Sequence, residues 1–258
     1  MSHKLFDLTG RTAVVIGGTS GIGRTLALGF AEAGANTVAT GRRQELVHSV
    51  QQKVEGLGVR SLGATCDVSS VESVQIFASQ VVETLGGVDI VVYAAGVTKR
   101  APTATIDLDI WNQNFDTNVA GALRVSQAFY EPLKQSRAAR IINICSLSSF
   151  RAFHEVAAYG ASKSALLSLT RNLGCEWAKD GIRTNAIVPG VFVTDLNREL
   201  LNGTERGREL LTRTPLGRFG DISELVGTAL FLASDASAFI TGSHIVVDGG
   251  FLASGVNQ

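Results

Sequence analysis

The sequence has little of what marks a metalloprotein, a disulfide-stapled domain, a polyanion binder or a membrane protein. Cysteine occurs only at Cys66, Cys145 and Cys175. These are odd in number, far apart and without a C-x-x-C pair, which excludes a disulfide framework or a thiolate zinc site and leaves three packing residues. His3, His48, His154 and His244 are scattered without H-E-x-x-H or comparable ligand spacing, so no catalytic metal is expected. Charge of one sign is missing as well. The 23 Lys and Arg stand against 23 Asp and Glu, which removes the electrostatic reason to seek nucleic acid or anionic lipid. No stretch approaches the roughly 18 consecutive apolar residues of a membrane span. The N-terminus, "MSHKLFDLTGRTAVV", has no long apolar run behind its basic residue, unlike a secretory signal. The expectation is a cytoplasmic protein.

What is present is an ordinary globular composition, 45% hydrophobic and 18% charged over 258 residues, enough to bury a substantial core. Short runs rich in Val, Ile and Ala alternate with segments of helical periodicity. "TAVVIGG" leads to a helix from about Gly21 to Ala33, then "NTVAT", a helix after Gln44, "VRSLGA", a helix from Val71 to Leu85, and "VDIVVYAA". A long helix around Trp111 to Lys134 follows, then the strand "ARIINICS", the helix "AAYGASKSALLSL", the strand "IRTNAIVPG", another helix, and a last strand "SHIVVDGG". Repeated βαβ units whose strands are continuously apolar predict an α/β fold, a doubly wound parallel sheet with helices on both faces. No linker, charge block or solenoid-length repeat interrupts the pattern, so residues 1–258 read as a single domain. The polar, Gly-punctuated stretch 192–220 reads as a lid over a site.

The first predicted strand runs into "GGTSGIGRTLALGF". Gly17, Gly21 and Gly23 sit at a strand-to-helix junction, where a backbone without side chains approaches a pyrophosphate and the helix N-terminus faces the anion. The second predicted strand ends "VATGRR", with Gly41, Arg42 and Arg43. An acidic residue at that place suits the ribose hydroxyls of NAD, whereas an arginine pairs with the 2'-phosphate of NADP. NADP is therefore favoured, with NAD the alternative. Further on, Tyr159 and Lys163 lie four residues apart, on one face of a helix. Taken alone, the pair reads as a surface tyrosine beside a solvated lysine.

The order of these elements resembles the short-chain dehydrogenase/reductase family over nearly the whole chain. The family's glycine turn looks like "GGTSGIG", its acidic adenine-side residue like Asp67 in "CDVS", and its Asn-Asn-Ala-Gly like "YAAG" (Tyr93 to Gly96). Its helix asparagine matches Asn118 in "NVAG", its serine Ser146 in "NICSLSS", its Tyr-x-x-x-Lys Tyr159 and Lys163, and its Pro-Gly-x-x-x-Thr Pro189, Gly190 and Thr194. Two departures stand out: Tyr93 and Ala94 replace the usual asparagines, and Ile16 stands where threonine usually precedes the first glycine.

The resemblance implies a cofactor lying along Gly17, Thr19, Ser20, Gly21, Ile22 and Gly23, along Gly41, Arg42 and Arg43, and along Asp67 and Val68. Ala94, Ala95 and Gly96, together with Pro189, Gly190, Val193 and Thr194, complete the track, with Asn118, Tyr159 and Lys163 at its reacting end. It also implies hydride transfer to or from nicotinamide. A phenol with pKa near ~10 is a poor base at neutral pH, but a neighbouring cation favours its ionised form. Tyr159 is then the base, Lys163 its cation and a ligand of the nicotinamide ribose. Ser146 binds the substrate oxygen, and Asn118 holds a water that relays protons between Lys163 and solvent.

Substrate information sits in two loops, "GVTKRAPT" and "LSSFRAF", each leaving the carboxyl end of a predicted strand, where such sheets place their ligands. The Lys-Arg-x-Pro run with "NICSLSS" resembles the gluconate 5-dehydrogenase and 2-deoxygluconate 3-dehydrogenase branch of the family. A sugar acid or polyol is the implied small-molecule substrate, with Arg100 and then Arg151 as candidates for a carboxylate beside Ser146 and Tyr159. The rival is a 3-oxoacyl-carrier-protein reductase. Apolar residues on several faces of the helices around Asn118 and Tyr159 (Leu123, Val125, Phe129, Leu166, Leu169, Leu173, Trp177) point to a homotetramer.

Overall fold

The structure, a computed structural model, describes residues 4–194 and 197–255. His3 and positions 195–196 of the expected lid lie outside the described residues. Six strands form one parallel sheet: β1 (Thr12–Ile16), β2 (Asn36–Thr40), β3 (Ile90–Tyr93), β4 (Arg140–Ile144), β5 (Arg183–Pro189) and β6 (His244–Val247), in the order β2-β1-β3-β4-β5-β6. The helices are α1 (Gly21–Glu32), α2 (Gln44–Glu55), α3 (Val71–Leu85), α4 (Leu108–Phe115), α5 (Gly121–Ala128), α6 (Tyr130–Gln135), α7 (Ala157–Glu176), α8 (Arg198–Leu201), α9 (Glu205–Thr212) and α10 (Val226–Ala233). Among the described residues no helix is long and apolar enough to cross a membrane.

The central strands β1 and β3 are almost wholly apolar and buried along their whole length because both faces of the sheet are covered there. Val14, Ile16 and Val91 enter one core with α3, α5 and α7, while Ala13, Val15 and Val92 enter another with α1, α2 and α10, as alternating side chains of a central strand must. Local signals fix the helix ends. The Ser70 hydroxyl accepts from Ser73 N at 3.1 Å to start α3, and Gly86, at φ 85°, ends it. The strand order reverses between β1 and β3, so the chain leaves these neighbours in opposite directions and opens a crevice at their carboxyl ends.

Two expectations need correction. "VRSLGA" is not a strand: only Arg60 O takes a ladder-like bond, from Thr37 N, while the Asn36 and Ser61 side chains make the neighbouring bonds. The long helix around 111–134 is three helices. It is broken by a π-turn at Asp116–Ala120 and again at Phe129, whose φ and ψ of −94° and 1° are not helical. A third correction is smaller. Cys66 and Cys145 are buried packing residues, but Cys175 is exposed.

Candidate active site

The crevice between β1 and β3 is lined by backbone. Gly17 has φ 77°, in the left-handed region, and an added Cβ would lie 2.6 Å from Ala95 N. At Gly23 the added atom would lie 2.2 Å from Gly17 O. Any side chain would fill this space, so the turn keeps bare peptide groups where α1 begins. Ser20, the residue before α1, makes no side-chain cap bond, which leaves the first N–H groups of the helix for an anion. Thr19, Ser20 and Ile22 lie within this turn, Ala94 N bonds Ile16 O at 2.9 Å across the crevice, and Thr194 packs its methyl beside Gly21. The residues present thus fit a pyrophosphate.

Toward the adenine end, Gly41 ends the strand run of β2 beside Thr19, whose Oγ1 would be 3.1 Å from an added Cβ. An acidic side chain at 41 would crowd Thr19. Arg42 and Arg43 are exposed. Asp67 accepts two hydrogen bonds from Ser69, through N at 3.0 Å and Oγ at 2.7 Å. Those bonds, helped by the charges of Arg42 and Arg124, hold its carboxyl below the usual range. Val68 offers its carbonyl to Arg124 at 3.0 Å. At the opposite end Pro189 closes β5, and an added Cβ on Gly190 would meet Asp248 Cα at 2.5 Å. Gly190 therefore lets the chain pass close against the loop after β6 on its way to Val193 and Thr194.

The helix α7 carries Tyr159 and Lys163 on one face, as their spacing requires. Lys163 is 4 % exposed; its Nζ donates to Ile144 O at 2.7 Å and lies 5.8 Å from the Tyr159 ring centre. Tyr159 itself is half-buried. Two residues past Ile144, Ser146 caps a short turn by accepting from Ser148 N at 3.1 Å. That contact uses its oxygen and leaves its O–H to donate. Asn118 is fully buried in the π-turn. Its Oδ1 accepts from Val97 N at 2.8 Å, and its Nδ2 donates to Val97 O at 3.0 Å and to Ser162 Oγ at 2.9 Å. Ser162 in turn donates to Tyr159 O at 2.8 Å. An added Cβ at Gly96 would stand 3.3 Å from Asn118 Oδ1 and 3.5 Å from Lys163 Nζ, so these two groups converge beside Gly96. Ser162 joins the set through the fold, and no sequence reading singled it out.

The two arginine loops fare differently. Arg100 pairs with Glu155 at 2.6 Å, and Ala101 N bonds Glu155 O at 3.0 Å, tying the loop after β3 to the approach to α7. Glu155 has φ 63°, the only left-handed residue other than glycine among those described, a conformation common at ligand sites. Arg151 is exposed and makes no side-chain bond among the described residues. A third arginine joins from the 192–220 excursion. Burial lowers the pKa of Arg206 and so does the nearby charge of Arg100, with Glu209 and then Glu155 acting oppositely; α9 thus carries this guanidinium near Arg100 and Glu155. The excursion is closed at its base by a parallel bridge of Phe192 with Gly220 and by Gly220 N to Val191 O at 3.0 Å.

Residues 16–252 match the family described as Enoyl-(Acyl carrier protein) reductase. The chain is 37% identical over 255 residues to the gluconate 5-dehydrogenase of Gluconobacter oxydans, covering 98% of this chain and 100% of that one. It is 37% identical over 256 residues to the 2-dehydro-3-deoxy-D-gluconate 5-dehydrogenase of Dickeya dadantii, again covering 98% and 100%. A crystal structure of a gluconate 5-dehydrogenase from Burkholderia cenocepacia in complex with NADP and tartrate superposes with a TM-score of 0.93 at 37% identity, covering 97% of this chain and 98% of that one.

Proposed function

The chain belongs to the short-chain dehydrogenase/reductase family, and from that premise we propose that it interconverts a hydroxy and a keto sugar acid, with NADP as the hydride carrier. Bound in the crevice, the nicotinamide dinucleotide supplies the hydride acceptor in one direction and the donor in the other. The rest is work for this chain's own side chains. Tyr159 takes the proton of the substrate hydroxyl, with the Lys163 ammonium on the same helix face, 5.8 Å from its ring centre. The Ser146 O–H donates to the substrate oxygen where negative charge develops. Asn118, bonded through Ser162 to the first turn of α7, holds the water through which Lys163 exchanges protons with solvent. Gly17 to Gly23 cradle the pyrophosphate, Arg42 and Arg43 take the 2'-phosphate, Asp67 and Val68 lie at the adenine, and Pro189 to Thr194 lie at the nicotinamide.

The observation that carries the substrate class is the nearness of two guanidiniums, Arg100, paired with Glu155, and Arg206, on which Arg100, Glu209 and Glu155 all act. A substrate carboxylate between the two guanidiniums would be attracted by both, and Arg100 and Arg206 come from the loops beside the expected reaction centre. Arg151 is the second candidate. The tartrate in the Burkholderia complex, a hydroxy acid, agrees with that chemistry. Because the chain aligns end to end with sugar-acid dehydrogenases, this reading is preferred to 3-oxoacyl-carrier-protein reduction. All 258 residues form one catalytic domain in this proposal, with 192–220 as its lid, and the enzyme is a cytoplasmic homotetramer. Mixing the protein with NADPH and a panel of keto sugar acids, neutral ketoses and an acetoacetyl thioester, and following cofactor absorbance, tests it. Turnover of the keto sugar acids is expected, and turnover of the thioester alone would overturn the reading.

A further inference from the structure

A π-turn is where a helical ladder loses a partner. The Gly121 N–H, which an unbroken α-helix would give to the Thr117 carbonyl, donates instead to Asp116 O, as the widened i to i+5 turn requires. The Thr117 carbonyl has then to find another donor or remain buried without one. It finds Tyr93, whose hydroxyl donates to Thr117 O at 2.5 Å. Tyr93 is the last residue of β3, held in register against Ile16 on one side and Asn143 on the other, and is 1 % exposed. Burial pushes its pKa above the usual tyrosine range, so the phenol stays protonated, and a donor, at any working pH.

The surroundings are shaped to this contact. An added Cβ at Gly121 would lie 2.5 Å from Tyr93 Oη, so the glycine after the π-turn makes room for the phenol. From the outer side Arg124 grips the same turn, with Nη2 on Asp116 Oδ1 at 2.6 Å and Nη1 on Val68 O at 3.0 Å. Asn118 follows directly on these two anchored residues, one position beyond the carbonyl that Tyr93 holds.

We infer that Tyr93 is a positioning residue: its buried hydroxyl takes the carbonyl that the π-turn leaves free, and so fixes Asn118 against Val97, Ser162 and, next to them, Lys163. The inference rests on the proposed place of Asn118 in the proton relay. In effect the sheet sets the geometry of the relay directly, through one tyrosine at the end of a central strand, and the helix alone does not.

The test is Tyr93→Phe, which keeps the ring and removes only the donor. Loss of a buried hydrogen bond at this point is expected to lower kcat on the order of tenfold, with KM for NADP nearly unchanged. In the oxidative direction the pH at which kcat reaches half its maximum should move upward, because protons leave the site less readily. A merely structural role would lower the melting temperature and leave kcat and its pH profile, per folded enzyme, where they were; that result overturns the inference. If Tyr93→Phe does not fold, Gly121→Ala supplies the test, since its methyl displaces the hydroxyl from the other side. Where both single variants fold, the double variant is expected to be less impaired than the two losses combined, because removing the oxygen relieves the methyl. Equal effects of Gly121→Ala with and without the hydroxyl overturn the inference. Asn118→Ala, measured alongside, separates the two readings. Full activity there removes the relay, whereas a crippled Asn118→Ala beside an unaltered Tyr93→Phe removes the role of Tyr93.

Discussion

Three side chains of the proposed site are each open to a separate measurement. Tyr159→Phe keeps the ring near Lys163 and removes only the proton acceptor, so turnover should fall by at least ~10² while cofactor binding persists. Near wild-type turnover in that variant would assign the base elsewhere. Arg42→Ala should weaken NADP much more than NAD, since a charge-assisted contact to phosphate contributes roughly 1.5 to 3 kcal/mol. An equal loss for both cofactors, seen by titration of cofactor fluorescence, would refute the pairing. Arg100→Ala has a less simple meaning than the sequence suggested, because Arg100 already pairs with Glu155 at 2.6 Å. For a sugar acid, kcat/KM should drop on the order of tenfold, about 1.4 kcal/mol, with little change for a neutral analogue. If acid and neutral substrate fall together, Arg100 is only bracing Glu155 and the loop. The thiols divide on similar grounds. Burial pushes Cys66 up to about 12 and Cys145 up to about 11, while Cys175 is exposed. One fast-reacting thiol is therefore expected with a neutral disulfide reagent, and three would mean that the core opens.

Among the elements, what the sequence made legible depended on whether the signal was local. The glycine turn, the helix from Val71 to Leu85 and the Tyr159 to Lys163 spacing each rest on neighbouring residues, and each stands where the pattern put it. The failures have non-local causes. "VRSLGA" has the apolar content of a strand, but side chains of Asn36 and Ser61 make bonds that a ladder would make. The break at Asp116–Ala120 adds one residue to a turn, and a periodicity of 3.6 does not register one extra residue. Arg206 was missed although the excursion bearing it was singled out, because only the tertiary path of α9 returns it to Arg100. The same distinction yields a prediction for the β1-to-α1 turn. Gly23→Ala places a methyl 2.2 Å from Gly17 O, in a space that peptide groups must keep bare. Cofactor-induced thermal stabilisation should then be lost in this variant even where the apoprotein still folds. An undiminished shift would mean that the dinucleotide does not lie against this turn.

At the scale of the whole molecule, the argument for assembly changes once burial is known. Val125, Phe129, Leu166 and Leu173 are all at most 4 % exposed in the single chain, so they need no partner subunit and do not support one. Of the helix residues expected to pair subunits, Leu123 remains exposed, and further apolar surface lies elsewhere. Leu123 on α5 is 37% exposed, and β6, which among the described residues pairs only with β5, turns Val246 outward at 37%. Phe239, just before that strand, is fully exposed. A free edge strand flanked by an exposed phenylalanine is a surface that soluble proteins ordinarily cover. A second copy is the simplest cover, and Leu123 on a different element offers a second contact, the two that the proposed tetramer of two dimers would need. Sedimentation at micromolar concentration is therefore expected to show a tetramer. Val246→Lys, which sets a charge on the edge strand, and Leu123→Arg, which sets one on α5, should each reduce it to dimers. The two variants together should give monomers. The crevice, α7 and the arginine loops all belong to one chain, so dimers of either kind should keep most of their kcat. A wild-type protein that sediments only as a monomer would remove the proposed assembly, and dimers that lose all activity would mean that the site is completed across an interface.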